Sequence, residues 1–184
     1  MRGVLGWDYE LVETVANGQY SSRLRDERRG VMLHYDGSGS DRGAVQWFGD
    51  PRCRVSYNVL VLDDGDYVQI APDEARAWHA GRCATSDPAQ LPYTDANSAF
   101  YGVAIASSGK EAVTPVQLLT VVALCRGYFR RHGWPLGQTW RIVSHRSEAT
   151  PRGRKTDPEG ADLKNPIMST EYVRGLLSKV RETT

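Results

Sequence analysis

The sequence predicts an α/β fold, a single domain with a central mixed β-sheet flanked by helices. Three observations carry this. Short apolar, strand-like runs alternate with helical stretches along the chain, the pattern of a sheet with helices packed on it. Two of those runs flank Asp63-Asp64-Gly65, a hairpin turn, so the sheet is mixed rather than purely parallel. The 184 residues contain no linker and no internal repeat, which places one domain at 1–184, with its core at about 30–182 and residues 1–29 as an N-terminal extension.

Taken in order, residues 1–29 carry few signals. Leu11, Val12 and Val15 suit one face of a short helix, and the run RLRDERR at Arg23 to Arg29, broken by two acids, reads as a solvated loop or helix face. Gly30 to Tyr35, GVMLHY, reads as a buried strand carrying His34 near its end. The polar loop DGSGSDRG follows, then a short helix over Ala44 to Phe48 that stops near Gly49. Val55 to Leu62 is the clearest strand, with Val55, Tyr57, Val59 and Val61 on one face and Ser56, Asn58, Leu60 and Leu62 on the other. Asp66 to Ile70 returns as its partner. AWHAG, at Ala77 to Gly81, falls in a loop, and Arg82 to Ser98 is a long irregular segment containing Pro88 and Pro92. Loops of that length usually carry function.

Tyr101 to Ser107 reads as another strand. Thr114-Pro115-Val116-Gln117 is a helix start: Thr114 caps, Pro115 suits the first helical position and Gln117 completes a capping box. Leu118, Val121, Val122, Cys125 and Phe129 then make one apolar stripe, and Gly133 stops the helix. Trp140 to His145 is the last strand. Ser169 or Thr170 caps a final helix whose buried face is Val173, Leu176, Leu177 and Val180.

The net charge of +1, with no basic block beyond RLRDERR, argues against a nucleic-acid partner. No apolar run reaches the length of a membrane span. The N-terminal MRGVLGWDYELVETV lacks the apolar core of a secretory signal, which predicts cytoplasmic synthesis. Three cysteines do not make a disulfide framework. Cys125 lies on the apolar helix stripe, while Cys53 and Cys83 lie in loops and their pairing is left open. A monomer is expected.

The chemistry concentrates in His145 to Gly160, HRSEATPRGRKTDPEG, which sets His145, Lys155 and Asp157 on one strand-to-loop segment. Upstream, Val31-Met32-Leu33-His34 repeats the pattern of an apolar strand ending in histidine. Two histidines and a carboxylate are a common ligand set for a catalytic zinc with one open position, although no short HExxH-type motif gathers them. Each residue also has an ordinary reading: a hydrogen-bonded core histidine, a turn aspartate before Pro158, a surface lysine.

These residues resemble the zinc-dependent N-acetylmuramoyl-L-alanine amidases of type 2, a group with phage, cell-wall and cytosolic anhydro-muropeptide amidases and the peptidoglycan recognition proteins. The resemblance runs from about Val31 to Pro158. Its marks, in order, are the strand ending in His34, VSYN leading into VLVLDDG, AWHAG, YGVAIA at Tyr101 to Ala106, IVSH at Ile142 to His145, and GRKTDP at Gly153 to Pro158. AWHAG and GRKTDP are the most specific.

The resemblance implies that His34, His145 and Asp157 hold Zn2+ and that Lys155 and Tyr57 are catalytic. His79 in AWHAG is either a substrate contact or a structural loop hydrogen bond, and Asn97 is a candidate contact to sugar or peptide. Some relatives use cysteine as the third ligand. Others carry a catalytic glutamate on the strand equivalent to Tyr101 to Ala106, where this chain has Ala104; that absence agrees with the presence of Tyr57, as in phage-type members, whereas GRKTDP is more like the cytosolic type. Asn58 replaces a histidine frequent in the family. A zinc so held can make water nucleophilic at neutral pH, and a lysine ammonium can offset the oxyanion built on an amide carbonyl.

The implied function is hydrolysis of the amide bond between N-acetylmuramic acid and L-alanine, with peptidoglycan or a muropeptide as substrate. An endolysin or bacterial wall-lytic enzyme, acting on the wall after release, is one expectation. A cytosolic anhydro-muropeptide amidase of wall recycling is the alternative, and a non-catalytic peptidoglycan-binding protein is a third. Non-catalytic relatives lack a zinc ligand, and all three ligand types stand in this sequence.

Overall fold

The computed structural model describes residues 11–15, 18–23, 28–164 and 166–179. Its strands in chain order are β1 (Leu11–Thr14), β2 (Tyr20–Ser21), β3 (Gly30–Tyr35), β4 (Val59–Val61), β5 (Tyr67–Gln69), β6 (Arg76–Ala77), β7 (Phe100–Ile105) and β8 (Ile142–Ser144). Its helices are α1 (Asp41–Gly49), α2 (Ala96–Ala99), α3 (Pro115–His132), α4 (His145–Glu148) and α5 (Thr170–Lys179). Six strands form one sheet in the order β1-β5-β4-β7-β3-β8, and β2 and β6 pair separately. Only β4 and β5 are antiparallel within the sheet, so the sheet is mixed and the hairpin supplies the exception.

The sheet has two different faces. On one, Val31, Leu33, Val59, Val61, Val103 and Ile105 pack against α3 and α5 through Val121, Val122, Cys125, Phe129, Val173 and Leu177. Burial of each such side chain stabilises the fold by roughly 1.5–3 kcal/mol relative to exposure. The α3 start is as its sequence predicts: Thr114 accepts from the Gln117 amide and the Gln117 side chain accepts from Thr114 N–H. Gly133 ends the helix at φ 63°, a left-handed conformation that glycine adopts at no steric cost. For α5, Ser169 is the cap, its hydroxyl accepting from the Tyr172 amide; Val180 lies outside the described residues.

On the opposite face, α1 packs Ala44 and Phe48 against Leu60, Leu62 and Ala104. Beside it, Met32, Phe100 and Val143 are covered by Ala80, Leu91, Ala96 and Ala99 from the loop region. The irregular segment after AWHAG is held down by Glu148, which is 1% exposed and accepts from the Ser86 amide and hydroxyl and the Tyr93 hydroxyl. No described helix is long and apolar enough to cross a membrane.

Several local expectations change. Leu11–Thr14 is an edge strand parallel to β5, not a helix; so short a helix would carry a nucleation cost that few hydrogen bonds could offset. Arg28 is not on a solvated face. It is 6% exposed, donates to the carbonyls of Phe100, Asp73 and Ala75, and stacks 3.6 Å from the Tyr101 ring centroid. Residues 24–27 lie outside the described residues. Ladder pairing in the Val55–Leu62 run begins only at Val59. Asn58 interrupts the alternation by spending its side chain on backbone, accepting from Gly102 N–H and donating to the Pro72 carbonyl. Tyr57 consequently packs with Leu60 and Leu62 rather than with Val59 and Val61. Trp140 sits in a 3-10 turn, Thr139–Arg141, and His145 opens α4 rather than closing β8. All three cysteines are free thiols.

Candidate metal centre and active site

Parallel register brings the two strand-end histidines together. Leu33 of β3 pairs with Ser144 of β8, so the next residues, His34 and His145, stand side by side at the C-terminal edge of the sheet. Their ring centroids are 4.7 Å apart. Alternation along β3 sends His34 away from the α3 face, because Val31 and Leu33 face α3. Ser144 caps α4 by accepting from the Ser147 amide. The loop after α4 then returns Asp157 to the same point: its Oδ2 is 2.8 Å from His34 Nδ1 and 2.9 Å from His145 Nδ1. The three residues are buried, and one ligand atom from each lies within 4.8 Å of the others.

The outer nitrogens reveal the tautomers. His145 Nε2 lies 2.8 Å from the Ala80 carbonyl oxygen, so Nε2 carries the proton and donates. His34 Nε2 faces His79 Nδ1 at 3.0 Å, and His79 Nε2 faces the Phe100 carbonyl. A consistent chain has His79 donating from Nε2 and accepting at Nδ1 from His34 Nε2–H. Both ligand rings then turn an unprotonated Nδ1 toward Asp157. Burial lowers the His34 pKa to about 4 against the opposing pull of Asp157, so that ring is neutral at pH 7.

Two imidazole nitrogens and a carboxylate oxygen that converge in a buried site can hold a cation between them. The set of two imidazole nitrogens and one carboxylate oxygen fits zinc, and each ligand histidine carries the outer hydrogen bond that ligating histidines usually make. The residues present therefore fit the metal that the sequence implies.

Tyr57 and Lys155 stand beside this group. The Tyr57 ring lies 5.0 Å from that of His34 and is backed by Phe48 at 5.5 Å. Burial, reinforced by the Asp157 charge, raises the pKa of its hydroxyl, which stays protonated and able to donate. The Lys155 ammonium is close enough to disfavour protonation of His34. Between Lys155 and Asp157, Thr156 turns the other way and bonds to the Tyr35 hydroxyl at 2.7 Å. Ala104, paired with His34 across β3 and β7, is fully buried and leaves no carboxylate at that position.

His79 and Asn97 are also at the centre, though on its protein side. His79 is 6% exposed and Asn97 8%. Asn97 Oδ1 accepts from the amides of His79 and Ala80 at 3.0 and 2.8 Å. The His79 ring lies flat against β7; a Cβ on Gly102 would stand 2.7 Å from it, so only glycine fits there. Two participants are not singled out in the sequence. The Ala80 carbonyl is a backbone atom, and Arg154, which donates to the carbonyls of Ala80, Arg82 and Thr150, stands in GRKTDP but has no role of its own assigned there.

Comparison with known proteins bears on the fold and the family. The solved structure of a selenomethionine AmpD derivative aligns over 96% of this chain and 99% of its own, with 24% identity and a TM-score of 0.71. AmiD from E. coli, solved with anhydro-N-acetylmuramic acid-L-Ala-D-gamma-Glu-L-Lys, aligns over 74% of this chain and 54% of its own at 20% identity, TM-score 0.60. The endolysin LysCS of Clostridium intestinale, also an N-acetylmuramoyl-L-alanine amidase, aligns over 78% of this chain and 89% of its own at 15% identity, TM-score 0.54. At these identities the likeness establishes the fold. No curated protein sequence matches the chain. The sequence profile of one family, N-acetylmuramoyl-L-alanine amidase, matches residues 25–160 and so spans His34, His145, Asp157, AWHAG and GRKTDP: the chain belongs to the N-acetylmuramoyl-L-alanine amidase family.

Proposed function

We propose that this protein is a zinc-dependent amidase that cuts between N-acetylmuramic acid and L-alanine, with His34, His145 and Asp157 as ligands and Tyr57 and Lys155 as catalytic residues. The observation that carries the reading is the convergence of His34 Nδ1, His145 Nδ1 and Asp157 Oδ2, with both outer imidazole nitrogens occupied. Zinc bound there supplies a Lewis acid and a water made nucleophilic at neutral pH.

The chain's own residues supply the rest. The Lys155 ammonium meets negative charge as it builds on the amide oxygen, where an aimed cation is worth most in a partly desolvated site. Tyr57 keeps its proton and donates a hydrogen bond to the attacking water or to the same oxyanion. The neutral His34 presents an electron pair without needing to lose a proton at pH 7, and His145 and Asp157 turn Nδ1 and Oδ2 to the same point. With Ala104 on β7, the carboxylate that some relatives use is absent, and Tyr57 and Lys155 are left as the polar groups facing the reaction.

The substrate is peptidoglycan or a muropeptide released from it. The GRKTDP sequence, more like the cytosolic type, favours soluble anhydro-muropeptides; Tyr57 with Ala104 favours the phage-type chemistry of a wall-lytic enzyme. Parallel digestion of intact sacculi and of soluble anhydro-muropeptides separates these roles. On either substrate new L-alanine amino groups should appear without new reducing sugar ends. New reducing ends would mean glycan cleavage and would overturn the reading.

A further inference from the structure

The segment Arg76 to Ala80 runs beside the start of α2 and is joined to it at two points. Arg76 makes a two-pronged ion pair with Asp95, Nε to Oδ2 at 2.5 Å and Nη2 to Oδ1 at 3.0 Å. Two residues further along α2, Asn97 Oδ1 accepts the amide protons of both His79 and Ala80. A carbonyl-type oxygen has two lone pairs, so this one is fully used within the protein. The paired peptides in turn hold the outer nitrogens of both histidines of the metal centre: the His79 side chain holds His34, and the Ala80 carbonyl holds His145. Arg154, next to Lys155, donates to the same Ala80 carbonyl at 3.2 Å.

We infer that Asn97 is a positioning residue for the metal centre, acting through His79 and Ala80 to set the orientation of both histidine ligands at once, and that His79 is the orienting partner of His34 rather than a substrate contact. This rests on the reading of His34, His145 and Asp157 as zinc ligands. One side-chain oxygen fixes two consecutive amides, and the two groups those amides carry point to two different ligands. Loss of that oxygen leaves two buried N–H groups unpaired and frees the segment that aims both rings. Outer-sphere partners of this kind typically account for roughly 10–100-fold in metal affinity.

The test is zinc affinity by competition with a chromophoric chelator, with thermal unfolding of the metal-free proteins alongside. Asp157→Ala serves as the control for the ligand reading: if wild type binds no zinc, or binds it as weakly as Asp157→Ala, the ligand assignment itself has failed. Given tight zinc binding by wild type, Asn97→Leu should lose roughly 10–100-fold in affinity, and Asn97→Asp, which keeps an oxygen acceptor in the same place, should recover most of it. His79→Phe keeps an aromatic ring against Gly102 and removes the acceptor for His34; it should weaken zinc comparably while its metal-free melting, lowered by the lost bonds, still shows a folded protein, and it serves where Asn97→Leu does not fold. Wild-type zinc affinity in Asn97→Leu or in His79→Phe overturns the inference, as does equal loss in Asn97→Leu and Asn97→Asp.

Discussion

His34 Nδ1 and Asp157 Oδ2 stand 2.8 Å apart although 123 positions separate them in the chain. They come from different elements, a central strand and a late loop, so the contact forms only when the fold is complete. The core that builds the fold does not include them: both faces of the sheet are packed by aliphatic and aromatic side chains. Purified protein should therefore carry about one zinc per chain, and a chelator should abolish activity while leaving far-UV circular dichroism largely intact. Full activity in protein shown to be free of metal would end the metal-centred reading.

Replacement of Asp157 separates ligand from turn residue. Asp157→Ala should weaken zinc by more than the roughly 10–100-fold expected for an outer-sphere partner, because a direct ligand is lost. Asp157→Cys should recover part of this, since a thiolate is an acceptable zinc ligand. Chelator competition measures both. Equal affinity in wild type and the two variants would leave Asp157 as a turn residue before Pro158.

Glu148 ties the irregular segment at Ser86 and Tyr93 to α4 while 1% exposed. Hydrogen bonds to a buried carboxylate are worth roughly 1.5–3 kcal/mol each before relaxation. Glu148→Ala should cost roughly 3 kcal/mol in all, which for a chain of this length lowers Tm by about 6–12 °C. The metal ligands are untouched, so zinc stoichiometry should hold. Differential scanning calorimetry reads the first and metal analysis the second; an unchanged Tm would show that the segment is held by other contacts.

How much of this was legible in the sequence depended on how local the cause was. The cap and stripe of α3 were readable because helix capping and amphipathicity are encoded within a few turns. His34, His145 and Asp157, which the structure brings together, could be singled out because they end apolar runs or stand in GRKTDP. The face of Tyr57 was not legible, because the slip at Asn58 arises from contacts with Gly102 on β7 and with Pro72 in the loop after β5. β1 was misread as a helix because its partner, β5, lies far along the chain. Arg28 looked like part of a solvated charge run; its acceptors are three backbone carbonyls that sequence cannot display. The Ala80 carbonyl was invisible for the same reason.

Lys155 and Tyr57 should separate catalysis from metal binding. Lys155 precedes Asp157 by two positions, and Thr156 between them bonds outward to Tyr35, the alternation of an extended segment. The ammonium is close enough to the centre to disfavour protonation of His34, and we propose that it acts there without coordinating the metal. Its effect on the reaction arises only as the amide oxygen gains charge, so it stabilises the transition state more than the bound substrate. Lys155→Ala should keep its zinc and a near-normal KM, while kcat falls roughly 100–1000-fold, the scale of losing one oxyanion donor. Tyr57→Phe should keep zinc as well, with a smaller fall in kcat if its hydroxyl only orients water. Zinc content, KM and kcat on one soluble muropeptide decide the matter. Near-normal turnover in Lys155→Ala would make that lysine a surface residue and leave the metal to stabilise the oxyanion with Tyr57 alone.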